Sequence, residues 1–148
     1  MKTPSQLLSD MQGTFLWGHR DCLSTIEHMA KEYLFEYEPI YTEWLEMTEP
    51  EAWKTALKRN GSFLATHRPL LLKAGLIEAA VPVQPGDIVV ADCTVTLPTK
   101  ETWDGSNGRE LLVFIDESFT YWYWGYTLSP VTLSAPPSTV FRFPALVK

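Results

Sequence analysis

Apolar positions recur at spacings of three and four through the first half of the chain and switch after Val81 to short, dense runs typical of strands. Thr3-Pro4-Ser5-Gln6 supplies a cap residue, a proline at the first helical position and a capping-box glutamine. Leu7, Leu8 and Met11 then form a stripe ending near Gly13, so the pattern predicts a short opening helix. Cys22, Ile26, Met29, Tyr33 and Tyr37 predict a second helix whose buried face includes the cysteine. Thr48-Glu49-Pro50-Glu51 repeats the cap pattern ahead of Trp53, Ala56 and Leu57, and Asn60-Gly61 closes that helix. Within Phe63 to Lys73, Pro69 predicts two short turns rather than one helix, with Gly75 ending the second.

Beyond Val81, four strands are predicted: the β-branched run Ile88 to Val95, the compact run Leu111 to Ile115, the aromatic run Phe119 to Tyr126, and Val140 to Phe143. Asp104-Gly105-Ser106-Asn107-Gly108 and Pro136-Pro137-Ser138 are turn-forming connectors. Helices first and strands afterwards define an α+β domain with N-terminal helices packed on a mostly antiparallel C-terminal sheet. No internal repeat is visible, and at 148 residues with 45% hydrophobic content the chain suits one domain, 1–148, with its own core.

The net charge of −6 repels phosphate backbones, and Lys54, Lys58 and Arg59 are too few for a nucleic-acid stripe, which argues against a nucleic-acid partner. No apolar run reaches transmembrane length and no apolar signal-peptide region follows the start. The expected picture is therefore cytosolic synthesis without a spanning segment. In that setting Cys22 and Cys93 are expected to be reduced. A zinc set built from His19, Cys22, Cys93 and either His28 or His67 lacks paired tight knuckles, so neither a metal nor another cofactor is expected. Cys93 reads as a buried strand residue beside Asp92.

The chemistry centres on Phe15-Leu16-Trp17-Gly18-His19-Arg20-Asp21-Cys22. A thiol at a helix start meets unpaired backbone N–H groups and a partial positive charge, both of which favour thiolate. Trp17, Gly18, Asp21 and Cys22 resemble the nucleophile motif of the NlpC-like branch of papain-like cysteine peptidases and amidases, including small variants found among phage tail proteins. Pro85-Gly86-Asp87-Ile88-Val89-Val90 is similar to that family's first strand, and Leu111 to Ile115 to the strand that begins with its catalytic histidine, where this chain has Gly108-Arg109-Glu110. The resemblance covers roughly residues 3 to 126. It implies a papain-like (NlpC-type) fold, Cys22 as candidate nucleophile, and backbone N–H groups at the helix start as an oxyanion site.

A base is the missing part. His19 would reach the thiol only through a loop that doubles back. His67 would have to be carried into the cleft by the segment before Pro69, and His28 falls on the solvated side of its helix. With its base missing, the resemblance implies a phage tail or tail-tip structural component with a degenerate, non-catalytic site, made in the host cytoplasm and assembled with other tail proteins into the virion. One alternative is an active cell-wall peptidase or amidase that cleaves peptidoglycan stem peptides through Cys22 during infection. A second draws on the aromatic strand: Phe119, Tyr121 and Tyr123 alternate with Trp122 and Trp124, so one face joins the core and the other packs under the helices or forms a platform. Trp103, Trp122 and Trp124 are the candidate glycan- or receptor-binding residues of that platform.

Overall fold

The computed structural model describes residues 1–12, 22–34, 50–80, 82–106, 109–118, 120–124, 127–137 and 139–147. Readings that involve Gly13 to Asp21, Tyr37, the Thr48-Glu49 cap, Asn107-Gly108, Phe119, Gly125-Tyr126 or Ser138 lie outside them. Among the described residues, the helices are α1 (Pro4–Asp10), α2 (Cys22–Tyr33), α3 (Pro50–Asn60) and α4 (Phe63–Ala74). The strands are β1 (Ile77–Ala79), β2 (Ile88–Ala91), β3 (Thr94–Thr96), β4 (Thr102–Asp104), β5 (Leu111–Ile115), β6 (Thr120–Trp124), β7 (Thr127–Leu133) and β8 (Thr139–Arg142). A single 3-10 turn, Pro144–Leu146, follows.

At α1 and α4 a side chain satisfies an orphan backbone group at the helix start. The Gln6 N–H donates to Thr3 Oγ1 (3.2 Å) and the Thr3 N–H donates to Gln6 Oε1 (2.9 Å), completing the capping box at α1. The Ser5 N–H donates to Glu117 Oε2 at 3.1 Å, which ties this helix start to the turn after β5.

Contrary to the two turns expected around Pro69, α4 is one continuous helix. Ser62 caps it through the Ala65 N–H, and Gly75 ends it with φ of 110°, its N–H reaching Leu71 O and Leu72 O. An interior proline costs a helix about 3 kcal/mol. Phe63, Thr66, His67, Leu71 and Ala74 are all buried on one face, and burying two large apolar side chains, at about 1.5–3 kcal/mol each, already offsets that cost.

All strand pairs are antiparallel, in the order β1-β8-β2-β5-β6-β7-β3-β4. Side chains alternate between two cores. Ile88 and Val90 of β2, Leu112 and Phe114 of β5 and Phe141 of β8 meet Leu7, Leu8, Ile26, Met29, Phe63 and Leu71 from the helices. Val89, Ala91, Val95, Leu111, Val113, Ile115, Val131 and Val140 form a second, inner core to which none of the described helices contributes. This is why β2 and β5 are buried along their whole length, with no polar alternation in their sequence.

The second core exists because the sheet curls. Three chain steps, at most about 11 Å, separate Ala91 from Thr94, whereas four strand spacings in a flat sheet would place β2 and β3 about 19 Å apart. The predicted strand from Ile88 to Val95 is thus two strands, broken at Asp92-Cys93 where the sheet folds back on itself. Cys93 is accordingly half-buried in this bend and not on a strand, with its thiol 3.7 Å from Ala135 O. The Gly105 N–H donates to Cys93 O at 3.0 Å, and a Cβ added at Gly105 would lie 2.8 Å from Cys93 O and 2.9 Å from Ala91 O. Backbone cannot step aside as a side-chain tip can, so Gly105→Ala is expected to cost about 1–3 kcal/mol. An unchanged urea midpoint for that variant would refute the close approach.

At one end of the inner core lies a buried ion pair. Asp87 is fully buried and accepts from Arg142 Nε (2.8 Å) and Nη2 (2.7 Å) and from the Gln84 N–H (2.7 Å). Since Ile88 pairs with Phe141, these two residues stand directly opposite each other on β2 and β8.

Candidate functional site

Cys22 is the first residue of α2, half-buried against the helix–sheet core and outside any disulfide. The helix forms because Leu23, Ile26, Met29, Ala30 and Tyr33 make one continuous buried face and Lys31 lies in its last turn. This places a thiol at the positive end of a twelve-residue helix.

His67 sits elsewhere in role. Only 3% exposed, it lies on the inner face of α4 with its ring centroid 4.1 Å from that of Phe63. Its Nδ1 is 2.8 Å from Phe63 O, and since a carbonyl only accepts, Nδ1 carries the proton and donates. Burial pushes its pKa down to about 4 against the weaker upward pull of that hydrogen bond, so the ring is neutral at pH 7. The expectation that the segment before Pro69 delivers His67 to a cleft is therefore corrected: an unbroken α4 turns the ring into the core.

His28 lies at the surface as expected, its side chain 33% exposed, with Nε2 3.0 Å from Asp10 Oδ2 in a contact that joins α2 to α1. That hydrogen bond holds the Asp10 carboxyl below its ordinary pKa, with Lys2 adding to the effect. His19 lies outside the described residues. Of the zinc candidates that are described, His28 meets Asp10, His67 meets Phe63 and Cys93 meets Ala135, while Cys22 lies against the helix–sheet core.

Of the aromatic candidates, Trp103 is half-buried on β4. Its Nε1–H donates to Arg109 O at 3.0 Å, and the Arg109 guanidinium stands 4.1 Å from its ring centroid, so this indole braces the start of β5. Trp122 and Trp124 lie on β6 with backbone partners Ser129 and Thr127; their side chains lie outside the described set. An uncharged cleft of about 550 Å³ opens beside the inner core, with Val83, Ile115, Thr120, Val131, Leu133 and Pro137 among its lining residues, and neither Cys22 nor Trp103 borders it.

Sequence reasoning passed over the Asp87–Arg142 pair. The available signal was an arginine between two phenylalanines in the last strand and an aspartate directly before an all-apolar one, since a charge inside such a run needs a partner. No helix among the described residues is long and apolar enough to cross a membrane.

The fold and site together define an α+β domain in which a helix-start cysteine is backed onto a curled antiparallel sheet. Comparison with protein-family models, curated proteins and solved structures finds no match to this chain.

Proposed function

We propose that this chain is a non-catalytic module with an NlpC-type papain-like fold, acting as a structural component of a phage tail or tail tip. The order of elements supports the reading, as does the cysteine that opens a helix packed on an antiparallel sheet. The strand entered through Pro85-Gly86-Asp87 is buried along its length and has β5 beside it. The observation that carries the non-catalytic half is the burial of His67: the ring is 3% exposed and stacked on Phe63 on the core-facing side of α4, and burial lowers its pKa to about 4, which makes it a weak proton acceptor for a thiol. Losing a general base typically removes about 10²–10⁴ in rate.

Purified protein is expected to release no new amines from cell wall and to co-purify with tail proteins of its own particle. Its Cys22 should react with iodoacetamide at pH 7 no faster than the thiol of a peptide with the same local sequence. Amine release that disappears in Cys22→Ala would replace this reading with that of an active peptidase or amidase.

A further inference from the structure

We propose that the α3–α4 hairpin is an acid-released element: protonation of the His67 ring frees the hairpin from the sheet while the curled sheet stays folded. The ring is 3% exposed, stacked on Phe63, and already uses Nδ1–H on Phe63 O. A second proton at Nε2 would place a full charge among Phe63, Leu71 and Ala74, and a buried charge without a counter-charge is tolerated only if the site opens to water.

Among the described residues, no charge on the elements packed against α4 stands ready to compensate. On α3, which packs against α4, the charged residues are Glu51, Lys54, Lys58 and Arg59, all exposed. On β1, the other neighbour, the charged residue is Glu78, held at the surface by Arg68, and α4 itself adds exposed Lys73. What acts on the ring is burial and the Phe63 carbonyl.

The release is local for two reasons. Among the described side chains of α3, Ala56 is buried and Trp53 and Leu57 are partly so, and Pro69 cannot donate to Ala65 O, which leaves α4 one main-chain bond short. The inner core, by contrast, contains no helical residue among those described, so the strand contacts within it do not depend on the hairpin.

Hydrogen exchange of the whole chain at pH 7, 6 and 4.5, corrected for the intrinsic pH dependence of exchange, tests this. Each proton taken up on opening shifts the equilibrium about tenfold per pH unit, so protection across residues 63–74 should fall roughly 30-fold between pH 6 and 4.5 while residues 111–115 keep theirs. Equal loss in both segments, or none in either, would overturn the proposal. His67→Asn, which keeps a donor but does not titrate, should remove the pH dependence from 63–74; its persistence would also overturn the proposal. If that variant does not fold, the ring nitrogens of the wild-type protein decide: titration near pH 6.5 with the hairpin still protected rejects the device.

Discussion

Asp87→Ala is expected to lower the free energy of unfolding by about 3–5 kcal/mol, the largest effect of any polar substitution in this fold. Arg142 is 8% exposed, and both its Nε and Nη2 donate to that carboxylate. Its other acceptor is Pro82 O at 3.3 Å, a weak replacement for a bidentate carboxylate. Removing Asp87 therefore leaves an unpaired guanidinium in the interior and also strips the Gln84 N–H of its acceptor. The cost lies mostly in the stranded charge and less in the lost attraction. Asp87→Leu combined with Arg142→Met should accordingly recover most of the loss, since it removes both charges and keeps the volume. Guanidinium titration of the two variants measures this; a loss under about 1 kcal/mol for Asp87→Ala would mean that water already reaches Arg142.

The elements that could be read from sequence are those specified by near neighbours. The capping box at Thr3, the helix end at Gly75 and the paired faces of α2 depend on residues within four positions of each other. What could not be read depends on distant parts of the chain. Ile88 to Val95 is one unbroken β-rich run, and nothing inside it announces that its first half pairs with β5 and β8 while its second half pairs with β7. β7 was hidden by Pro130, which argues against a central strand. Its position explains the tolerance: Pro130 pairs with Tyr121 on one side, but β3 reaches only Thr132 and Leu133 on the other, so one flank of β7 is open there.

The candidate site divides along the same line. Cys22 on the buried side of a helix follows from spacing, because Ile26 and Met29 fix the face. His67 as a base rested on a helix broken at Pro69. In a continuous α4, Phe63, His67, Leu71 and Ala74 fall on one stripe at spacings of four and three, and this stripe is the one that packs inward. One misplaced helix break therefore accounts for both the extra turn and the stray base. Whether an interior proline ends a helix is decided by the apolar area on the far side of the contact, which here comes from strands more than ten residues away.

Phe114→Ala is expected to cost about 3–5 kcal/mol, and its pattern of damage should expose the two-core construction. Phe114 is fully buried in the middle layer of the molecule, paired across β5 with Ile88 on one side and Tyr121 on the other. Its ring faces the helices, so the cavity left by truncation opens among Leu7, Ile26, Met29 and Phe141, which belong to elements fixed by other contacts and close in only partly. Val113, its neighbour in sequence, faces the inner core and touches none of the helices' buried cluster. The helices should therefore loosen first in Phe114→Ala, with helical circular dichroism lost at a lower urea concentration than the methyl resonances of Val89 and Val113 lose their native shifts. Phe114→Leu keeps most of the volume and should cost under about 1.5 kcal/mol. Coincident loss of both signals in Phe114→Ala would show that the helical layer and the curled sheet unfold as one unit, and an acid-released hairpin would then have no independent sheet to leave behind.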